Sequence, residues 1–323
     1  MLRLTTPAGV RIEDARQFDV CHGGAEANVA VQLAQFGRST EFVTRLPENE
    51  LGAGCVEQLR ARAVGTQFIT RAAGRIGLYF IEHGAGVRPA SVLYDRANSA
   101  FAGITPGMFD WDAIFAGAKW FHWSGITPAL GGRCAEVCRE ACEAAKRRGL
   151  IVSFDINFRG KLWSATRAAE VLSPLMQLVD VCVCGEDEAV SILGAATMEE
   201  EDAARLPAVA ASLAKRHGFK TVAMTSRGGS AGMPAFRAML HTGAGPHFSR
   251  TYELAAVDRI GTGDAFTAGL IFALLRGSEP GAAIEFAAAA SVWKHTIAGD
   301  WNRAGVAEIE AVAGGNVSGH VRR

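Results

Sequence analysis

Residues 257–266 read VDRIGTGDAF, and mostly apolar residues continue from there to Leu275. The spacing of these apolar residues predicts a largely buried helix, which places Gly261, Thr262 and Gly263 where a loop enters a helix N-terminus. Free backbone amides and the positive end of the helix dipole attract an anion there, and glycines let a phosphate approach the backbone closely. The stretch therefore indicates an anion-binding helix start.

Asp264 directly follows this glycine pair. A phosphate beside it would repel its carboxylate, so the residue needs another role. The simplest is that of a base that takes a proton from an attacking hydroxyl. The alternative is an aspartate that only caps the helix after a glycine turn, which is common. Because short glycine motifs have many false positives, the stretch by itself leaves both interpretations open and favours the cap.

The composition is that of a globular protein, with 323 residues, 49% of them hydrophobic and 20% charged. This length suits one large α/β domain or two ordinary ones. The 33 basic and 33 acidic residues cancel, which gives no bulk attraction to nucleic acid or to a membrane surface. No apolar run reaches the roughly 20 residues that span a bilayer. Seven cysteines, an odd number, fit reduced thiols, so we expect a cytoplasmic protein.

A second glycine pair, Gly23 and Gly24, precedes apolar residues at helical spacing from Ala25 to Phe36. This pair also predicts a loop that enters a helix. Gly24 would let a ligand lie against the backbone, and Asn28, one turn into the helix, would hydrogen-bond ligand hydroxyls. The alternative is a turn followed by an ordinary capped helix.

Strand and helix signals alternate along most of the chain, which predicts a mostly parallel sheet with helices on both faces. Residues 75–96 break this alternation with two strand-like runs joined by turn residues, a pattern typical of a β-hairpin. We expect the hairpin to be an active-site lid or a dimer contact. Tyr79, Tyr94 and Arg96 are its polar-tipped residues and would face a ligand.

Two predicted strands carry candidate residues at their carboxyl ends, where parallel sheets bind ligands. Residues 150–155 form an apolar strand, and Asn157 and Arg159 come just after it. The arginine offers a fork for a carboxylate or phosphate, and the alternative is a solvated loop arginine. Residues 221–225 form another strand, and we predict a glycine-rich turn over 226–230 at the edge of a nucleotide site.

The segments GGAEAN at 23–28 and DRIGTGD at 258–264 together resemble the two signatures of the ribokinase-like (PfkB) carbohydrate kinases. The resemblance covers nearly the whole chain, and the paired motifs are specific to that family. Weaker similarity to its 2-keto-3-deoxygluconate kinase branch comes from residues 42–47, 77–80, 94–96, 121–130, 153–159 and 295–300.

The resemblance implies one kinase domain over residues 1–323. Its fold would be a three-layer α/β/α sandwich with a mostly parallel central sheet and an inserted β-hairpin lid, with lid strands at about 10–22 and 75–96. In this family the lid often also makes a dimer, so we expect a homo-oligomer through these strands.

The resemblance also implies roles for individual residues. Asp264 would be the catalytic base, and Gly261, Thr262 and Gly263 would form an anion hole for the transferring phosphoryl group. The implied substrate-binding residues are Gly24, Ala25, Asn28, Tyr79, Tyr94, Arg96, Arg159 and Asp300. The implied nucleotide-binding residues are Asn157, Thr225, Arg227, Gly228, Gly261 and Gly263. ATP and Mg²⁺ would be the cofactors, with Glu188 near the metal and Asp258 at a K⁺ site.

The implied activity is ATP-dependent phosphorylation of the terminal hydroxyl of 2-keto-3-deoxygluconate. Two arginines that converge locally would bind a sugar acid, whereas a neutral sugar does not require them. The alternatives are a kinase for another sugar or sugar acid of the family and a non-catalytic sugar-acid sensor. An intact Asp264 argues against the sensor. A dinucleotide-dependent dehydrogenase lacks support because no strand is followed by a full GxGxxG motif.

The sequence departs from the family in its first strand. Family members usually begin with a central strand ahead of the segment equivalent to residues 2–4, and this sequence starts after it. Loss of about five buried apolar residues would remove several kcal/mol, at roughly 1.5–3 kcal/mol per large side chain. We expect either a native start upstream of Met1 or a rearranged sheet. Mass spectrometry that found Met1 at the native N-terminus would exclude the first option.

Two further departures concern cations. Near the metal and phosphates, the family's Asn-x-x-Glu motif reads GEDE, which keeps the carboxylate of Glu188 but has Gly185 in place of the amide. Arg259 replaces the usual small hydroxyl residue beside Asp258. These differences weaken the transfer of both metal sites from the family.

Overall fold

The computed structural model describes residues 1–85, 87–196, 202–230 and 233–316. Within these ranges the strands are β1 (Leu2–Thr5), β2 (Asp19–His22), β3 (Thr44–Pro47), β4 (Ile69–Ala72), β5 (Leu78–Glu82), β6 (Ser91–Asp95), β7 (Trp120–Ser124), β8 (Ile151–Asp155), β9 (Val181–Cys184), β10 (Thr221–Ser230), β11 (Met233–Thr242), β12 (Gly245–Phe248) and β13 (Tyr252–Glu253). The α-helices are α1 (Ala25–Gln35), α2 (Glu50–Arg60), α3 (Trp111–Ile114), α4 (Ile126–Ala129), α5 (Gly132–Arg147), α6 (Ala165–Leu172), α7 (Glu186–Ser191), α8 (Asp202–His217), α9 (Thr262–Leu275), α10 (Pro280–Lys294) and α11 (Val306–Ala313). Short 3₁₀ helices span Ile12–Asp14, Phe101–Gly103 and Ser173–Leu178.

The central sheet has the strand order β12-β11-β10-β9-β8-β7, with β13 paired to β11. Strands β7 to β10 run parallel, and β10, β11 and β12 continue the sheet in antiparallel fashion. The carboxyl ends of the parallel strands therefore meet at one edge, which is where the sequence places Asn157 and Arg159.

Alternate residues of β9 face opposite sides of this sheet because side chains in a strand alternate. Cys182 and Cys184 join the core cluster that includes α5, α6, α7 and α8. Val181 and Val183 join the cluster that includes α1, α9, α10 and α11. The predicted three-layer α/β/α architecture is confirmed.

Helices α9 and α10 pack closely behind the sheet. A Cβ on Gly269 would lie 2.9 Å from the Cα of Ala287, so the absence of a side chain lets the two backbones approach. Both helices are apolar around most of their circumference because neighbours cover nearly all of each. Within the described residues, no helix is long and apolar enough to cross a membrane.

The predicted turn over residues 226–230 is wrong. These residues extend β10, which pairs with β11 as far as Ser230 opposite Met233. An antiparallel ladder is held by backbone hydrogen bonds, which glycines can supply as well as other residues. Residues 231 and 232 lie outside the described residues.

A second sheet has the order β2-β1-β5-β6, and we call it the lid sheet because it contains the predicted lid hairpin. The predicted hairpin is confirmed by the antiparallel pairing of β5 and β6. Residues 1–9 carry little regular sequence signal, yet residues 2–5 form β1, which pairs antiparallel with β2 and parallel with β5. Four residues are too few to show a clear alternation of apolar and polar side chains. The strand therefore forms because of its pairing with distant residues.

The register of the lid sheet defines two rows of side chains on opposite faces. The inner row is Cys21, Arg3, Tyr79 and Tyr94, and the outer row is Val20, Leu4, Phe80 and Leu93. Arg3 and Tyr79 are buried, whereas Val20 and Leu93 are 60% and 48% exposed. The inner row therefore faces the body of the molecule, and the outer row is an apolar stripe on the surface.

Strands β3 and β4 form a separate parallel pair, and β7 ends the central sheet. Within the described ranges no strand pairs with the outer edge of β7 or the second edge of β3. A cavity of 1370 Å³ reaches both strands and is lined at this end by aromatic residues including Phe42, Trp111 and Phe121. The expectation of either a native start upstream of Met1 or a rearranged sheet stays a prediction.

Candidate active site

The N-terminus of α9 forms one wall of the cavity, at Gly261, Thr262 and Gly263. Gly261 has a φ of +79°, and a Cβ there would overlap the carbonyl oxygen of Asp300, so only glycine fits this position. The buried Thr262 hydroxyl donates to the carbonyl of Arg259 at 3.0 Å. The predicted junction of loop and helix is confirmed, and its first-turn amides lack partners within the helix.

Asp264 does not cap α9. The N-cap is Gly261, and Asp264 lies in the first turn of the helix. Its Oδ2 accepts a hydrogen bond of 2.6 Å from the side-chain amide of Asn28. The cap alternative for Asp264 is therefore wrong, and the two glycine motifs meet through this pair across 236 positions of sequence.

The pKa of Asp264 is raised to about 7. Burial is the main cause, and the negative charge of Asp300 adds to it. The Asn28 hydrogen bond and the positive charge of Arg159 act in the opposite direction. A carboxylate with a pKa near neutrality suits proton transfer at physiological pH because it is both ionised and basic there.

Asn28 is 5% exposed and lines the same cavity. Its amide nitrogen donates to Asp264 and, at 3.3 Å, to Asp300, while its Oδ1 has no hydrogen-bond partner in the described part of the protein. A buried acceptor without a donor is costly. A ligand hydroxyl would satisfy it.

The loop before α1 brings backbone close to Asp300. A Cβ on Gly23 would overlap the Asp300 carboxylate and the Tyr79 hydroxyl. Gly24 is the N-cap of α1 with a φ of +141°, and Ala25 is the first helical residue. All three residues of this loop line the cavity. Gly23 was not predicted as a site residue, although its position in the glycine pair was a signal.

Asp300 is buried and has several hydrogen-bond donors. Its Oδ1 accepts from Arg3 at 3.2 Å, and its Oδ2 accepts from the Tyr79 hydroxyl at 2.5 Å and from Asn28. Burial and the charge of Asp300 raise the pKa of Tyr79 well above its usual value, so this hydroxyl keeps its proton. Both side chains line the cavity, but their polar atoms are engaged with each other.

Tyr94, Arg96 and Arg159 lie together at another part of the cavity. The Arg96 guanidinium stacks 3.9 Å from the centre of the Tyr94 ring, and Arg159 Nε donates to the Tyr94 hydroxyl at 3.2 Å. Burial lowers the pKa of Arg96, and the charge of Arg159 lowers it further. Within the described part of the chain, no carboxylate forms a salt bridge with either arginine.

The end of β8 and the first turn of α7, the helix after β9, bring two more carboxylates to the cavity, those of Asp155 and Glu188. Burial raises the pKa of Asp155 to about 8, with the charges of Glu188 and Asp264 as further causes. Glu188 accepts hydrogen bonds from the amides of Phe158 and Gly185 at 3.1 and 2.9 Å. Asp155 was not among the predicted site residues, although it ends a strand whose next residues were.

The remaining predicted nucleotide residues are spread along the chain. Asn157, with a φ of +44°, and Thr225 line the cavity. Gly228 is exposed on β10 and does not line it. The backbone of Arg227 lies in β10, and its side chain is outside the described atoms.

Asp258, the predicted K⁺ ligand, is 3% exposed and does not line the cavity. Its Oδ2 lies 2.6 Å from Arg3 Nη2. Arg3 and Lys294, a fully buried lysine at the end of α10, were both missed. A charged residue between Leu2 and Leu4, and one at the end of an alanine-rich helix, were the available signals.

Comparison with known proteins gives a consistent result. The sequence model of the pfkB family carbohydrate kinases matches residues 3–300. The 2-dehydro-3-deoxygalactonokinase of Haloferax volcanii is 34% identical over 319 residues, which cover 99% of this chain and 96% of that protein. The crystal structure of the 2-dehydro-3-deoxygluconokinase of Thermotoga maritima has a TM-score of 0.94 at 43% identity, covering 98% of this chain and 96% of the other. A fructokinase of Xylella fastidiosa with bound ATP shares the fold, with a TM-score of 0.75 at 24% identity over 98% and 96% of the two chains.

Proposed function

The chain belongs to the pfkB family of carbohydrate kinases, and on this premise we propose that it phosphorylates the terminal hydroxyl of 2-keto-3-deoxygluconate with ATP. As a member of that family it is a phosphotransferase with an alcohol acceptor. The observation that carries the choice of a sugar acid is the pair of arginines, Arg96 and Arg159, in the cavity that also holds Asp264. Neither arginine forms a salt bridge with a carboxylate among the residues that the structure describes.

The arginine pair favours an anionic substrate for an electrostatic reason. Two guanidinium groups close enough to lower the pKa of Arg96 repel each other, and a carboxylate between them would relieve that repulsion. A neutral sugar would leave the two arginines without a directly paired carboxylate in a partly buried site. The Tyr94 hydroxyl already orients Arg159, so the pair is held in place for a planar acid group.

The proposed chemistry begins at the terminal hydroxyl of the sugar acid. Ionised Asp264 takes its proton as the oxygen attacks the γ-phosphorus, and the bond from that phosphorus to the bridging oxygen of ADP breaks. ADP leaves with the bonding electron pair. The Oδ1 of Asn28, which has no hydrogen-bond partner among the described residues, accepts a hydrogen bond from a substrate hydroxyl and so orients the sugar.

The first turn of α9 stabilises the charge of the transferring group. The amides at Thr262 and Gly263 are free of helical partners and lie in the same turn as Asp264. Because Gly261 is held in a left-handed conformation against Asp300, the amides are set before the substrate binds. We propose Asn157, Thr225, Arg227 and Gly228 as nucleotide contacts.

Mg²⁺ fits the donors present at the strand ends. Asp155 and Glu188 offer hard oxygen ligands in one cavity, and Mg²⁺ in kinases is held by one or two carboxylates together with phosphates and water. Among the described residues no group of three or more His, Cys, Asp and Glu side chains converges as a metal cage, which agrees with that mode. Bound there, the ion would neutralise phosphate charge. Glu188 is the residue that we propose for it.

We also propose that residues 1–323 form one kinase domain whose lid, near residues 10–22 and 75–96, makes a homo-oligomer contact. The support is the outer row of the lid sheet, with Val20 60% and Leu93 48% exposed. Apolar residues that continue across four strands are an unusual surface for a monomer.

The decisive experiment is an ADP-release screen with purified protein, ATP and Mg²⁺. Its substrates are 2-keto-3-deoxygluconate, its C4 epimer 2-keto-3-deoxygalactonate, ribose and fructose. We expect the highest kcat/KM with 2-keto-3-deoxygluconate. Preference for the epimer would correct the stereochemistry of the proposal but keep the sugar acid, whereas preference for ribose or fructose would refute the role of the arginine pair. Turnover with none of them would favour the sensor.

A further inference from the structure

Asp258 begins the loop that leads to the anion hole, and both oxygens of its carboxylate have internal partners. Its Oδ1 accepts from the amide of Ile260 at 2.9 Å, and its Oδ2 accepts from the amide of Gly299 at 3.0 Å. The Arg3 guanidinium lies 2.6 Å from the same Oδ2, and the side chains of Arg3 and Asp258 are each only 2% exposed. These partners surround the oxygens that a cation would need.

Lys294 supplies a second buried cation to the same region. Its Nζ donates to the carbonyl of Ile297 at 2.9 Å, and its Cε lies 3.4 Å from where a Cβ of Gly261 would be. Its pKa is lowered, mainly by burial, and the negative charges of Asp258 and Asp300 offset part of that shift. The lysine therefore packs directly behind the anion-hole loop.

The residues around Asp258 do not fit the K⁺ site that the family resemblance implies. A K⁺ ion there would have to share the Asp258 oxygens with the Arg3 guanidinium and the Ile297 carbonyl with the Lys294 ammonium. An added cation would also stand beside the like charges of Arg3 and Lys294. Charge compensation of the buried carboxylates is therefore already provided by the chain.

We propose that Arg3 and Lys294 replace a bound monovalent cation beside Asp258, so that phosphoryl transfer proceeds without added K⁺. The inference rests on the proposed kinase function. Arg3 and Lys294 act as positioning residues, because neither lines the cavity. Arg3 holds Asp258 directly, and Lys294 places its charge nearby and holds the carbonyl of Ile297. Asp258 in turn holds the amides of Ile260 and Gly299 on the two loops that frame the anion hole.

Backbone hydrogen bonds tie the loop that contains Asp258 to the end of α10, so this loop depends on how the Asp258 charge is compensated. The amides of Val257 and Asp258 both donate to the carbonyl of His295, at 2.8 and 3.2 Å, next to Lys294 in the chain. Without a cation, the buried Asp258 carboxylate would be drawn toward solvent or toward protonation. Either change would release the two amides it holds and disturb the anion hole.

The first test uses the wild-type protein and its proposed substrates. Turnover is measured in KCl, NaCl, NH₄Cl and choline chloride at equal ionic strength, with ADP quantified by chromatography so that no coupling enzyme adds a cation requirement. We expect kcat values that agree within about twofold, a difference of less than 0.5 kcal/mol in the barrier. Activation by K⁺ of about tenfold or more over choline would overturn the proposal.

The second test removes one fixed charge with Lys294→Met, which keeps much of the apolar stem. We expect a lower kcat with a smaller change in the KM for the sugar acid, and partial recovery in KCl or NH₄Cl. We also expect the variant, unlike the wild type, to melt at a higher temperature in KCl than in choline chloride. Unchanged turnover, or a loss that neither cation relieves, would overturn the role of Lys294.

Lys220→Met is the matched control, because Lys220 also pairs with an aspartate, Asp180 at 3.0 Å, but its side chain is 75% exposed. It should show no cation response. If Lys294→Met fails to fold, the wild-type cation series and wild-type melting in the same salts decide the question. Turnover that requires K⁺ refutes this inference alone, whereas absence of turnover with every sugar acid refutes the proposed function.

Discussion

Replacement of Asp264 by Asn tests the catalytic core of the proposal. The change keeps the size of the side chain and an oxygen that can accept the Asn28 hydrogen bond, but it removes the base. General-base catalysis typically contributes about 10²–10⁴-fold, so we expect kcat to fall by that factor. The fall corresponds to about 3–5 kcal/mol in the activation barrier.

The pH dependence gives this prediction a second, independent readout. Asp264 has a pKa of about 7 and must be ionised to accept a proton, so wild-type kcat/KM should rise with pH through a midpoint near 7. In Asp264→Asn that rise should disappear, because the group that titrates is gone. The assay is ADP release from pH 5 to 9, combined with calorimetric titration of the sugar acid to show that binding persists.

Stability separates a lost base from a damaged fold. The folded pKa of Asp264 lies above the usual value of 3.8, so between these values the folded state holds a proton that the unfolded state has released. The free energy of unfolding therefore falls as pH rises through this interval. Asp264→Asn should remove that loss. The variant should therefore melt at a higher temperature than the wild type at pH 8, and this difference should be smaller at pH 5.

The control for this variant is Asp112→Asn, which removes an aspartate whose side chain is 79% exposed and should leave turnover unchanged. Two results would refute the reasoning. One is turnover of Asp264→Asn within tenfold of the wild type. The other is a variant that keeps the midpoint near pH 7, since another group would then be the base.

Three other predictions follow from the site and the lid. Arg159→Met should raise the KM for the sugar acid by roughly 10–100-fold, as expected for about 1.5–3 kcal/mol of charge-assisted hydrogen bonding. Steady-state kinetics should show little change in the KM for ATP. An unchanged KM for the sugar acid would exclude a contact between Arg159 and the acid group. Gly261→Ala should reduce kcat sharply and lower the melting temperature, because the added Cβ overlaps the Asp300 carbonyl and the φ of +79° is strained for alanine; a crystal structure with the loop unmoved would contradict this. Leu93→Glu should convert an oligomer to monomers in light-scattering measurements, because it places a charge in the outer row of the lid; an unchanged mass would exclude the lid as the contact.

Local sequence patterns were sufficient for the parts of the site that depend on neighbours in the chain. A glycine pair before an apolar helical period predicts a loop that enters a helix N-terminus, and the structure has this junction at Gly261. Polar residues just after a buried strand predict a cleft, and Asn157 and Arg159 line the cavity. These features follow from backbone sterics, helix dipoles and side-chain periodicity, which act over a few residues.

Pairings between distant residues were decided only by the tertiary structure. The bond from Arg3 to Asp300 joins residues 297 positions apart, and the apolar neighbours Leu2 and Leu4 do not indicate which residue a buried arginine between them would pair with. The same holds for Lys294, whose role depends on the loop it packs against. The glycine-rich end of β10 became strand because β11 pairs with it. The sequence by itself therefore determined the kind of chemistry and the helix starts and strand ends that carry it. The fold decided which charges compensate one another, because burial and pairing are properties of the whole packed chain.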